Sequence, residues 1–129
     1  MGFCAHSYQS EFRIQKENRE KVRSLIISEF PLMASLPRSE HPDDIDLLCE
    51  FGLTAEENEA GDISNVYFEH QRYVIEDMNA LFHVIAPCVQ PGSSLCFVGE
   101  DDSLWAIYFD GEKFTEYRGE IVFPGMPTA

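Results

Sequence analysis

The sequence predicts an α+β fold in which helices pack on a mainly antiparallel sheet. Three observations carry this. Stretches of period-two alternation and stretches of helical spacing follow one another in the order β-α-α-β-β-α-β-β-β. Helices do not alternate one-for-one with strands, which disfavours a doubly wound parallel sheet. The last third, residues 94–123, reads as a C-terminal three-to-four-stranded meander with tight turns, and it holds the only tryptophan, Trp105.

Residues 4–15 alternate. Cys4, His6, Tyr8, Ser10, Phe12 and Ile14 share one parity, and Gln9, Glu11, Arg13 and Gln15 share the other, as in a half-buried strand. From Lys16 the period changes. Val22, Leu25, Ile26 and Phe30 lie at helical spacing with Arg19, Glu20 and Arg23 toward water, so a helix is expected over 16–30. Asn18 is its candidate N-cap and Pro31 its stop. Pro31, Pro37 and Pro42 mark a loop, and Pro42 suits the start of a helix over 43–51. The dipole of that helix favours Asp43, Asp44 and Asp46 at its N-terminal end. Ile45, Leu48 and Cys49 are its expected apolar face, with Leu47 or Phe51 at the edge, and Gly52 takes the C′ position.

Leu53–Glu57 and residues 63–69 read as a hairpin around a polar loop that contains Gly61. Ile75, Met78, Leu81, Phe82 and Ile85 return to helical spacing over 73–86, and Pro87 breaks the pattern. In the meander, Asp110-Gly111 is a two-residue hairpin turn that needs positive φ, and Arg118-Gly119 is a weaker turn before a short last strand. Leu104–Phe109 is apolar on both parities, the mark of a strand covered on both faces. One face takes the helices; the other calls for a second layer, a ligand or another subunit. The chain is one domain over 1–129, with 124–129 expected to fray.

The net charge of −14 is uneven. Residues 1–39 carry six Lys/Arg against four Asp/Glu, and residues 40–129 carry three against nineteen. Such a surface repels nucleic-acid phosphates and anionic lipid and favours a basic protein partner. Cys4, Cys49, Cys88 and Cys96 form no C-x-x-C pair, and the last three lie in apolar runs as small hydrophobes. With no secretory leader pattern, reduced thiols in a cytoplasmic protein are expected. No apolar run reaches the length of a bilayer span. The start of the chain misses a myristoylation signal, because Ser7 falls one place late.

No motif names a catalytic chemistry. The chain has no G-x-S-x-G elbow, P-loop or G-x-G-x-x-G, so no catalytic residue and no cofactor are assigned. Cys4 and His6 share a strand face, but no second close Cys/His pair completes a zinc set, and no metal site is assigned. His41, His70 and His83 read as surface or satisfied histidines. Glu100, Asp101 and Asp102 form a dense acidic turn without the spacing of a calcium loop, and a solvated hairpin tip accounts for them. The meander aromatics Phe97, Trp105, Tyr108 and Phe109 are accompanied by Lys113 and Arg118 alone, too few cations for RNA.

The expected function is therefore a small acidic cytoplasmic protein-binding domain without catalysis. It would engage a basic partner in the manner of an inhibitor, an immunity protein or a DNA mimic. Glu100, Asp101 and Asp102 are the first partner-binding candidates, and Asp43, Asp44 and Asp46 the second cluster. Two alternatives stand beside it. One is a self-associating structural domain, a homodimer through the aromatic sheet face, and the other a small enzyme or ligand-binding domain with a pocket at Trp105 and Tyr108.

Overall fold

The computed structural model describes residues 3–32, 42–69 and 71–120. In chain order it contains β1 (Cys4–Glu11), α1 (Lys16–Glu29), α2 (Asp44–Glu50), β2 (Leu53–Glu57), β3 (Ile63–Phe68), β4 (Gln71–Arg72) and α3 (Ile75–Ile85). A 3-10 turn (Ala86–Cys88) leads to β5 (Ser94–Gly99), β6 (Leu104–Phe109) and β7 (Phe114–Gly119). Five strands form one sheet in the order β4-β1-β5-β6-β7, and every neighbouring pair is antiparallel. The β2-β3 hairpin stands as a second, two-stranded sheet. The α+β class, the antiparallel meander and the element order are those the sequence predicts, with the short β4 added.

Alternation decides which face of the meander is buried. Leu95 and Phe97 of β5 and Trp105, Ile107 and Phe109 of β6 point inward. They join Val22 and Ile26 of α1, Leu47 and Leu48 of α2 and Phe82 of α3 in one core. Phe109 is fully buried edge-on between Phe12 and Phe82, with ring centroids 5.5 and 5.9 Å away. Burying one such side chain stabilises the fold by about 2 kcal/mol. The opposite parity of β6, Leu104, Ala106 and Tyr108, forms the outer face, and no described element covers it.

The hairpin meets β1 through side chains. Ser7 Oγ accepts from Phe68 N at 2.8 Å and donates to the Phe68 carbonyl, and Asn65 Nδ2 donates to the Ser10 carbonyl at 3.1 Å. One backbone bridge, Ile14 to Ile63, closes the seam. Beside it β1 bulges at Tyr8.

Several local expectations are corrected. The N-cap position of α1 is Gln15, not Asn18, and it supplies no side-chain bond. Asp62 from the hairpin loop accepts Lys16 N at 2.8 Å instead, so a tertiary contact satisfies a free helix N–H. In α2, Leu47 is buried with Leu48 while Cys49 is exposed, so the apolar face is rotated toward Leu47. Ile75 opens α3 and is 52% exposed. The last hairpin turns on Gly111-Glu112, one residue later than Asp110-Gly111, because the Asp110 carboxylate accepts from both Glu112 N and Lys113 N at 2.9 Å. Gly119 pairs with Leu104, so Arg118-Gly119 belongs to β7 and is not a turn. The short last strand and the frayed tail expected after it lie outside the described residues. Gly52 does have the expected positive φ, +92°, and a Cβ there would stand 2.7 Å from the Phe68 ring.

Candidate functional site

The acidic tip lies between β5 and β6, at the end of the sheet where β1 begins. Glu100 is fastened to β1 twice: its N–H donates to the Cys4 carbonyl at 2.9 Å, and its carboxylate accepts from Cys4 N at 3.1 Å. Asp101 shapes the turn by accepting from Ser103 Oγ at 2.6 Å and Ser103 N at 3.0 Å. These two donors, the hydroxyl first, hold its carboxyl below the ordinary carboxylate range. Asp102 sits at φ +66°, a left-handed conformation that Asp and Asn tolerate better than most residues.

Directly beside the tip is a hollow of about 230 Å³, walled by Phe3, Tyr73, Ile75 and Trp105 and rimmed by Asp101, Ser103, Glu116 and Arg118. The aromatic wall is a packed unit. The Tyr73 and Trp105 rings meet edge-on at 5.2 Å, Phe3 lies 6.3 Å from Trp105, and Phe97 stacks on Trp105 from the core at 5.4 Å. Gly99 lets Phe3 approach, since a Cβ there would stand 2.4 Å from its ring. Burial pushes the Tyr73 phenol up to about 12. Tyr73 is thus a neutral phenol near neutrality and part of the wall.

The rim comes from β7. Antiparallel pairing sets Arg118 opposite Trp105 and Glu116 opposite Ile107, so both side chains stand on the hollow's side of the sheet. Arg118 Nε and a Glu116 oxygen lie 3.3 Å apart, an ion pair with Arg118 largely exposed. Aromatic faces with two carboxylates against one guanidinium at the rim leave a net negative charge that favours a cation, through the ring quadrupole and charge-assisted hydrogen bonds. The volume is below the roughly 300–1,000 Å³ of a drug-sized ligand site. It suits one long side chain or a small organic cation.

The second acidic cluster has a different setting. Asp43 and Asp46 form a capping box on α2: Asp46 N donates to Asp43 at 2.8 Å and Asp43 N to Asp46 at 3.2 Å. Asp44 is 3% exposed. It takes a forked pair of hydrogen bonds from Arg19, Nε at 2.9 Å and Nη2 at 2.8 Å. Arg19 also reaches the Glu57 carboxylate and the Gly61 carbonyl. Asp44 above all raises the Arg19 pKa, so this cation is firmly protonated. The cluster binds α1, α2 and the β2-β3 hairpin together.

The structure places Trp105 and Tyr108 on opposite faces. Trp105 lines the hollow, whereas Tyr108 is on the outer face at 40% exposure. Phe3, Tyr73 and Glu116 are hollow residues that sequence reading passed over. Glu116 had a readable signal, for it shares the parity of Arg118 across from Trp105; Phe3 and Tyr73 had none, since they arrive from distant elements. Among the described residues no three of His, Cys, Asp and Glu converge as a metal-binding set. His41 and His70 lie outside the described residues. The Cys88 thiol is raised by burial in the core. No described helix is long and apolar enough to cross a membrane. Comparison with models of protein families, with curated proteins and with solved structures finds no match to this chain.

Proposed function

We propose that the protein is a binding module for a basic protein partner, and that the hollow beside the acidic tip receives a lysine or arginine side chain of that partner. The supporting observation is the convergence of three aromatic walls with Asp101 and Glu116 at the end of the sheet that also bears Glu100 and Asp102. A cation over these rings gains roughly 0.5–2 kcal/mol, more as it is desolvated. The remaining acidic surface steers a basic partner toward the site and speeds encounter. Inhibitors, immunity proteins and DNA mimics are the analogy for such a module, resting on size and charge. A cytoplasmic setting belongs to the same reading, supported by four cysteines without a disulfide.

The Asp43, Asp44 and Asp46 cluster is left out of the proposed surface, because its carboxylates already serve α2 and Arg19. The test is affinity capture of a partner from native lysate over a salt series, repeated with Asp101→Asn plus Asp102→Asn. The expected result is a basic partner that elutes at modest salt and is retained poorly by the double variant. A partner that ignores both salt and the two substitutions would sink the reading.

A further inference from the structure

The outer edge of β7 is open: among the described residues no strand pairs with it. It carries no proline and no bulge, so its main-chain groups are a ready template for another strand. The hairpin determines which groups face outward. Phe109 N donates to the Ser93 carbonyl and the Phe109 carbonyl accepts from Gly92 N, both at 2.9 Å, so the main chain of Phe109 turns toward β5. Phe109 and Phe114 are therefore a non-hydrogen-bonded pair, and by alternation Glu116 and Arg118 also turn their main chain away from β6.

We propose that β7 pairs with β7 of a second copy of this chain, antiparallel about a two-fold axis through Tyr117. This register makes hydrogen-bonded pairs of Glu116 with Arg118 of the second copy and of Arg118 with its Glu116. It sets the two Tyr117 rings side by side on the outer face and joins two five-stranded sheets into one. Charge selects the register. An axis through Glu116 would oppose that residue to itself, and one through Arg118 would do the same with two cations. Inward-pointing charges normally guard an edge strand, but Glu116 and Arg118 two residues apart are self-complementary only in the register proposed.

The outer face supports a second copy over a basic partner. No outward position of β5, β6 or β7 is charged, in a chain with 23 Asp and Glu. Two molecules of net charge −14 approach with least repulsion where carboxylates are absent. A basic partner would find no counter-charge there. Glu116 and Arg118 also rim the hollow, so the oligomeric state is read with no hollow ligand present.

The test is sedimentation equilibrium of the full chain at high micromolar concentration, with Glu116→Arg, Arg118→Glu and the double exchange. Wild type should form a reversible dimer. Each single reversal creates two like-charge oppositions across the axis and should weaken the dimer roughly tenfold. The double exchange should restore it. A wild-type monomer would overturn the proposal. So would a dimer indifferent to the single reversals, or a double exchange that does not recover.

Discussion

Two acidic clusters of similar composition stand in this chain, and they have different roles. Asp43, Asp44 and Asp46 face a helix end and a half-buried guanidinium, and each of their carboxylates has a partner within the fold. Glu100, Asp101 and Asp102 shape a turn but remain at the surface, beside an aromatic hollow. The difference lies in what surrounds the charge. Where six cations precede position 40, carboxylates pair with them and hold helices together. At the far end of the sheet Arg118 is, among the described residues, the one cation lining the hollow, and the tip carboxylates stay exposed; the proposed partner would meet them there. Counting acidic residues does not separate these roles; their neighbours do.

The largest test of this contrast is Asp44→Ala. It removes the two charge-assisted bonds of the fork and leaves Arg19 only Glu57 and the Gly61 carbonyl, and urea unfolding should show a loss of about 3 kcal/mol. A loss under about 1 kcal/mol would make the pair an ordinary surface contact and erase the contrast. Next is the dryness of the hollow, read through Tyr73. Its folded-state pKa of about 12 lies above the ordinary tyrosine value, so the neutral phenol is favoured by folding. That contribution is complete below about pH 10 and is lost as pH rises toward 12. Stability should fall by about 2 kcal/mol over this window, and a flat alkaline limb would mean that the hollow is wet.

Asp43→Ala removes a helix cap and should cost about 1 kcal/mol by the same measurement. The tip should behave otherwise. Asn at 101 can still accept from Ser103, and Asn at 102 tolerates positive φ, so Asp101→Asn with Asp102→Asn should shift stability by no more than about 0.5 kcal/mol. The acid limb sharpens this further. Backbone and hydroxyl donors depress the carboxyls of Asp62, Asp101 and Asp110, so their contribution is present above the ordinary Asp value and lost as pH falls through the depressed ones. Acid unfolding should therefore steepen below about pH 4, and Asp62→Asn should flatten it.

The parts of the fold that were legible are those in which local pattern and tertiary burial agree. β5 and β6 alternate because one face is covered, and Gly52 ends α2 because its φ is positive. β4 has two residues and no period to read. The start of α1 looked like a local cap at Asn18 but rests on Asp62, 46 positions away. The β1-β3 seam depends on the side chains of Ser7 and Asn65, which no alternation announces. At the site, Trp105 and the acidic tip stood out by residue type. Their meeting with Phe3 and Tyr73 did not, because three separated segments build the wall and Gly99 must make room for it. The likeness of the two acidic clusters misled for the same reason: Arg19, which settles the role of Asp44, lies 25 residues before it.

The central claim is that the hollow receives a basic side chain, and the only tryptophan of the chain lies in its wall. Trp105 emission, followed while a short arginine-rich peptide is added, reads that event directly. The account predicts a saturable change in emission that weakens as salt rises, is absent with an acidic peptide of equal length, and is lost in Asp101→Asn with Glu116→Gln. An emission that does not move, or a change that survives the paired substitution at high salt, would contradict it.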